Sequence, residues 1–317
     1  MSRRPEALRG QEHYVAPLDE VPLRAVDAVD TEAEPRSLWG EAWHSLIRNP
    51  IFIISGILIA FILLVALVPS LFTSIDPRFC QLSNSYGGPQ AGHPFGFDQQ
   101  GCDVYSRVIH GARASVSVGV LTTIGVVILG GIIGAIAGYF GGWFDSILSR
   151  ITDIFFAIPL VLGAIVIMQL FRQHAGVILL VSVMVVFGWT SIARIARSSV
   201  MSVKNAEFVT AATALGAGRV QNLARHILPN AIAPVIVTAT VNLGVYIVVE
   251  ATLSFLGVGL PDSTVSWGVD ISKAQSALRD RPTLLFYPAG ALAITVLSFI
   301  MMGDAVRDVL DPKAKKR

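Results

Sequence analysis

The sequence predicts an all-α integral membrane protein with six transmembrane helices, and three observations predict it. Hydrophobic residues make up 53% of the 317-residue chain and charged residues 15%, where a soluble domain is about a quarter charged. Six apolar stretches, at 51–72, 114–139, 149–170, 177–195, 233–256 and 285–305, are near the roughly 20 residues that an α-helix needs to cross a bilayer. The Lys and Arg residues, finally, gather in alternate connections, as they do when one side of a membrane retains them. A net charge of +2 offers no basic balance for nucleic acid.

Residues 1–36 mix Pro, Glu, Asp and Arg with few large apolar side chains, which predicts a disordered cytoplasmic arm. The arm lacks the apolar core of a signal peptide, so the first span does the targeting. SLWGEAWHSLIRNP (37–50) places Leu38, Trp43, Leu46 and Ile47 on one helical face, and Trp39 and Trp43 suit a headgroup region. That predicts an interfacial helix on the inner surface; the competing reading is an extension of the first span.

The six-span domain, 51–312, follows. The outer loop 73–113 holds the only cysteines, Cys80 and Cys102. An even pair in an oxidising compartment reads as a disulfide, worth roughly 3 kcal/mol by chain entropy, with two free thiols as the alternative. Nothing organises a base beside either thiol for nucleophilic chemistry. In the second span Gly130, Gly134 and Gly138 recur every four residues, a ridge that lets another helix approach. The third span carries Arg150 and Asp153 near its start and Pro159 inside it, which predicts a kink. FRQHAG (171–176) makes the third and fourth spans an antiparallel pair.

Orientation follows from charge. With the N-terminus inside, the inner segments hold 17 of the 24 Lys and Arg, including the basic tail 313–317. Both termini are therefore expected in the cytoplasm.

The inner loop 196–232 is far longer than a connection requires. Residues 203–216 read as a short helix with Asn205 as N-cap, Glu207 in the first turn, and a stripe of Phe208, Ala211, Ala212 and Leu215. Gly216 and Gly218 supply turn chemistry. A second amphipathic helix sets Val220, Leu223, Ala224 and Ile227 on one side, with Arg219, Asn222 and Arg225 elsewhere. Pro229 and Pro234 mark its end. Two such helices suit insertion into a groove on another protein, and a hairpin lying on the lipid surface is the other reading.

AATALGAGRVQNLARHILP (211–229) closely resembles the "EAA" loop of permease subunits in ABC importers, with Ala211, Ala212, Gly216, Leu228 and Pro229 at the matching positions. Thr210 stands where that pattern has Glu, and His226 where it often has Ile. Both departures resemble the peptide-importer branch. HPFGFDQQGCDVYSRVIHGARASVSVG (93–119), GYFGGWFDSILSRITDIFFAIP (138–159), EATLSFLGVGLPDSTVSWG (250–268) and GDAVRDVLDP (303–312) are similar to dipeptide/oligopeptide permeases of the C-subunit type. One departure is Gly101-Cys102-Asp103, where such proteins often read GRD.

The resemblance implies a type I ABC importer permease fold in a bacterial-type cytoplasmic membrane. It implies three kinds of partner besides lipid: a second homologous permease subunit, two cytoplasmic ABC ATPase subunits and an extracytoplasmic peptide-binding protein. This chain would bind no cofactor, since ATP and Mg belong to the ATPases. The loop would be the coupling element, with the stripe docking, Gly216 setting the bend and His226 in a supporting hydrogen-bond or helix-end role. Nickel, glutathione or oligosaccharide is an alternative cargo.

Glu250 is the one clear carboxylate within a span, which marks it as a group for the translocation pathway or as a structural hydrogen-bonding residue. Lys273, Arg279 and Arg281 lie in the last outer loop, 257–284. A secondary transporter would need mid-membrane charges and paired broken helices, and spans one, four and six lack interior charge. No GxxxxGK[ST], GxSxG or HExxH motif points to an enzyme.

Overall fold

A computed structural model describes residues 38–310; the arm expected at 1–36 and the tail at 313–317 lie outside the described residues. The first helix, α1 (Leu38–Leu46), stops before Pro50. Asn49 then caps α2 (Pro50–Leu67) by accepting a 2.9 Å hydrogen bond from Ile51 N, so the two helices are separate. Trp43 is 61% exposed.

Four more helices match α2 in being long and apolar enough to cross a bilayer: α3 (Val104–Phe140), α6 (Val177–Val203), α10 (Ala233–Phe255) and α12 (Thr283–Leu310). At 37 residues, α3 is roughly 55 Å long and overshoots a core of about 30 Å. It begins ten residues before the expected span because Asp103 caps it, accepting from Tyr105 N at 3.1 Å.

The third span differs from expectation. Instead of one kinked helix over 149–170, the chain forms α4 (Gly142–Phe156) and α5 (Leu160–Leu170), bent by 76° at the break. Pro159 explains it: the proline has no N–H to offer and disfavours helical geometry at Ile158. At roughly 17 Å, α5 is too short to cross alone. The described residues thus hold five single-helix spans, and the bent pair supplies the sixth if its two arms count together. Asp145 and Asp153 hold α4 against α6. Arg197 grips Asp145 through both carboxylate oxygens at 2.5 and 2.6 Å, and Arg194 meets Asp153 at 2.9 Å while lying 3.8 Å over the Phe156 ring. Of the two charges near the start of the expected span, Asp153 is therefore paired, while Arg150 is exposed.

The tightest packing joins α3 to α6, and the glycine ridge makes it. A Cβ at Gly130 would lie 2.5 Å from Trp189 O, and one at Gly138 2.7 Å from Arg197 O, so only glycine admits this approach. Around it Val118, Val126, Leu180, Met184, Ile192 and Leu253 from α3, α6 and α10 form the main core.

Past α6 the chain forms a knob from α7 (Glu207–Ala214), α8 (Arg219–Gln221), π-helical turns over Asn222–Ile227, and α9 (Leu228–Ala231). At the opposite end of α10, α11 (Trp267–Ala274) packs with the loop that carries the cysteines.

Candidate functional site

The knob is built to be rigid. Two buried side chains, Val209 on α7 and Ile227 in the π turns, join Ala135, Val200 and Ala231 in one cluster; each contributes about 1.5–3 kcal/mol by burial. Gly216 adopts φ +90, a conformation costly for residues with a Cβ. That lets Gly216 N reach Thr213 O and Ala217 N reach Ala212 O, both at 3.0 Å. These two bonds close a Schellman motif and satisfy carbonyls that the end of α7 would otherwise leave open. Across the bend, Asn222 Nδ2 donates to Thr213 Oγ1 at 2.8 Å.

Several local expectations change here. The helix predicted over 203–216 is split: α6 runs through Val203, and α7 starts at Glu207 after an extended Ala206, so Asn205 caps nothing. Asn222, expected on the polar side, is 3% exposed, because it turns back to Thr213 while Arg219 and Arg225 stay exposed. Val220, expected with Ile227, points the other way at 74% exposure; the π turns advance the chain less per residue and rotate the face. Pro229 does not end the helix. Upstream, Leu228 N bonds to Leu223 O in the π register, and helical structure continues to Ala231, where Ser199 Oγ donates to Ala231 O at 2.7 Å. The hydrogen bond at His226 uses its carbonyl, which accepts from Asn230 Nδ2 at 2.7 Å.

The exposed surface of this rigid body includes large apolar side chains. Leu215 is 90% exposed and Phe208 45%; Glu207, Ala211, Gly216, Leu228 and Pro229 are exposed too, and Ala212 is half-buried. Large apolar side chains held in water on a fixed frame mark a surface awaiting a partner.

Glu250 sits elsewhere, at the far end of α10. It is completely buried and accepts hydrogen bonds from Ser115 Oγ at 2.9 Å, Ser254 Oγ at 2.9 Å and Ser266 Oγ at 3.3 Å. Each serine in turn accepts from a backbone N–H: Ser115 from Trp267, Ser254 from Leu260, Ser266 from Val269. The carboxylate thus locks α3, α10 and the start of α11 together. Of the two readings open in the sequence, this geometry favours the structural one.

Beside it, Arg107 donates through Nε to Asp270 Oδ1 at 2.9 Å and makes a second contact to it through its terminal nitrogen. It also reaches Pro77 O at 3.3 Å. Burial pushes the Asp270 carboxyl above the usual carboxylate range, and Arg107 pulls the other way. Cys80 and Cys102 are disulfide-bonded in this same region. The Arg107–Asp270 pair escaped the sequence reading because its members lie 163 residues apart.

Comparison with known proteins agrees with this anatomy. Residues 130–316 match the family described as binding-protein-dependent transport system inner membrane component. Residues 37–89 match the N-terminal TM domain of oligopeptide transport permease C. The oligopeptide transport system permease protein OppC of Bacillus subtilis is 37% identical over 292 residues, covering 92% of this chain and 95% of the relative. The dipeptide transport system permease protein DppC of Alkalihalophilus pseudofirmus is 38% identical, covering 88% and 91%. Among solved structures, the inward-facing MetNI methionine ABC transporter aligns with 65% of this chain and 97% of its own at a TM-score of 0.54 and 19% identity, a likeness of fold. This chain belongs to the inner-membrane component family of binding-protein-dependent transport systems.

Proposed function

We propose that the chain is one of two membrane subunits of an ATP-driven importer of di- and oligopeptides, and that the 204–232 knob is where a cytoplasmic ATPase grips it. The observation that carries this reading is Leu215, 90% exposed on a helix end closed by Gly216 and anchored through Val209 and Ile227. A rigid, apolar protrusion transmits force, because displacing it displaces α3 and α6 with it. The switch has two states whose balance shifts by differential binding, so the ATPase must hold the knob in both. Peptide cargo is favoured by the oligopeptide and dipeptide permeases that this chain resembles over most of its length.

The accompanying assembly is a second homologous permease, two ATPase subunits that hold ATP and Mg, and an extracytoplasmic peptide-binding protein. The membrane is the bacterial inner membrane, with both termini cytoplasmic, in line with the positive charges on the knob side. The test is purification of the tagged chain from its native membrane in mild detergent, with mass spectrometry of what comes with it. A second multi-span permease and Walker-motif ATPases are expected. Replacing Ala211 and Ala212 with Glu should remove the ATPases and leave the second permease bound. ATPases retained by that double variant would exclude the knob as their grip.

A further inference from the structure

Two strongly polar side chains interrupt α10, and their fates differ. Glu250 is enclosed by three hydroxyl donors. Asn242, two turns earlier, is half-buried, and no group among the described residues hydrogen-bonds its carboxamide. Nor is it sealed in as the oxygen of Asn222 is; it opens outward from the chain. It lies roughly 14 Å along the helix from Ala233, near the middle of a span. A carboxamide facing hydrocarbon there forfeits the hydrogen bonds it makes in water, so this position requires a polar counterpart.

Its neighbours narrow what that counterpart is. Thr238, Asn242, Val245, Val249 and Thr252 recur every three or four residues and share one face. The two threonines need nothing further, since Thr238 Oγ1 bonds to Pro234 O at 2.9 Å and Thr252 Oγ1 to Val248 O at 2.8 Å. Val245 is 44% exposed. The face carries no charge and no glycine, alanine or serine. Close helix packing in membranes uses such small residues, and α10 directs its glycine elsewhere: a Cβ at Gly244 would meet Val296 O of α12 at 3.2 Å. Val249 packs against the main core, while the part of the stripe that turns outward at Val245 lacks the small residues of the closest helix contacts. That outward part resembles the wall of a passage, mildly polar and uncharged, with one unspent amide.

We propose that Asn242 presents this amide to the main chain of the peptide in transit. A carboxamide offers two donors and an acceptor, which complement the C=O and N–H that every peptide bond carries whatever its side chains. The face around it adds no charge that would select among cargo residues. The proposal rests on the peptide-importer reading and assigns the cargo a contact within it.

The experiment uses the assembled complex in proteoliposomes, with its binding protein, and measures ATP-driven uptake of radiolabelled trialanine. Asn242→Leu should lower uptake about tenfold, the loss of one well-placed hydrogen bond or more, while the complex still co-purifies intact; Asn242→Gln should restore most of it. A photo-cross-linking amino acid in place of Val245 should label the peptide during turnover. Full uptake in Asn242→Leu overturns the proposal. So does cross-linking only to the second permease, with subunits lost from the Asn242→Leu complex, since the amide would then be an inter-subunit bond. If the unaltered complex imports no peptide at all, the importer reading fails first, and that outcome is distinct from the other two.

Discussion

At the disulfide end of the molecule Arg107, Asp103 and Glu250 are buried and bonded within the chain, whereas at the knob end Phe208, Leu215 and Val220 stand exposed. One end hides charge and the other shows apolar surface, each against the usual preference of its side chains. Buried charge persists where partners come from within the chain, as the three serines do for Glu250. Exposed apolar surface persists where the frame beneath is complete and the missing contact lies on another molecule. The first arrangement fixes a conformation, and the second waits to be moved.

Four variants break or sharpen this contrast. The largest effect should come from Arg107→Ala, which strands the buried Asp270 carboxylate. A loss of about 3–5 kcal/mol is expected for removing one partner of a buried pair, read as thermal unfolding in detergent; a loss below about 1 kcal/mol would show that the pair is solvated in the working protein. Opening the Cys80–Cys102 bridge, 22 residues apart, by a double Ser substitution should cost about 3 kcal/mol. The unfolding midpoint with and without reductant checks it, and an unchanged midpoint would place the stability of that end in its hydrogen bonds alone. The smallest effects should appear on the knob, where Val209→Ala is expected to cost about 2 kcal/mol and Leu215→Ala less than about 0.5 kcal/mol. Equal costs at the two positions would erase the distinction between the knob's anchored and presented faces.

Local patterns made part of this legible in advance. Hydropathy over a window is a sum along the chain, so the long spans could be located without knowing their neighbours. The same holds for the turn at Gly216, whose left-handed φ is a property of one residue and its helix end. The bent pair was harder. Pro159 announced a disturbance, but whether a helix kinks or breaks depends on what holds the two arms, and here Arg194 and Arg197 on α6 hold the first one. Pro229 shows the converse: a residue that ends most helices is carried through because π turns precede it and Ser199 ties down the segment after it.

By itself, then, the sequence determined the membrane class, the long helices, the inner loop and the identity of its motif, because each depends on residues close together in the chain. Only the tertiary structure decided which polar groups in α10 are spent and which remain. Glu250 draws its donors from positions 115, 254 and 266, and Asn242 draws none among the described residues, although both look alike as interruptions of an apolar run. Hydrogen bonds are satisfied in space, and a pattern along one helix does not contain the side chains that the other helices bring to it.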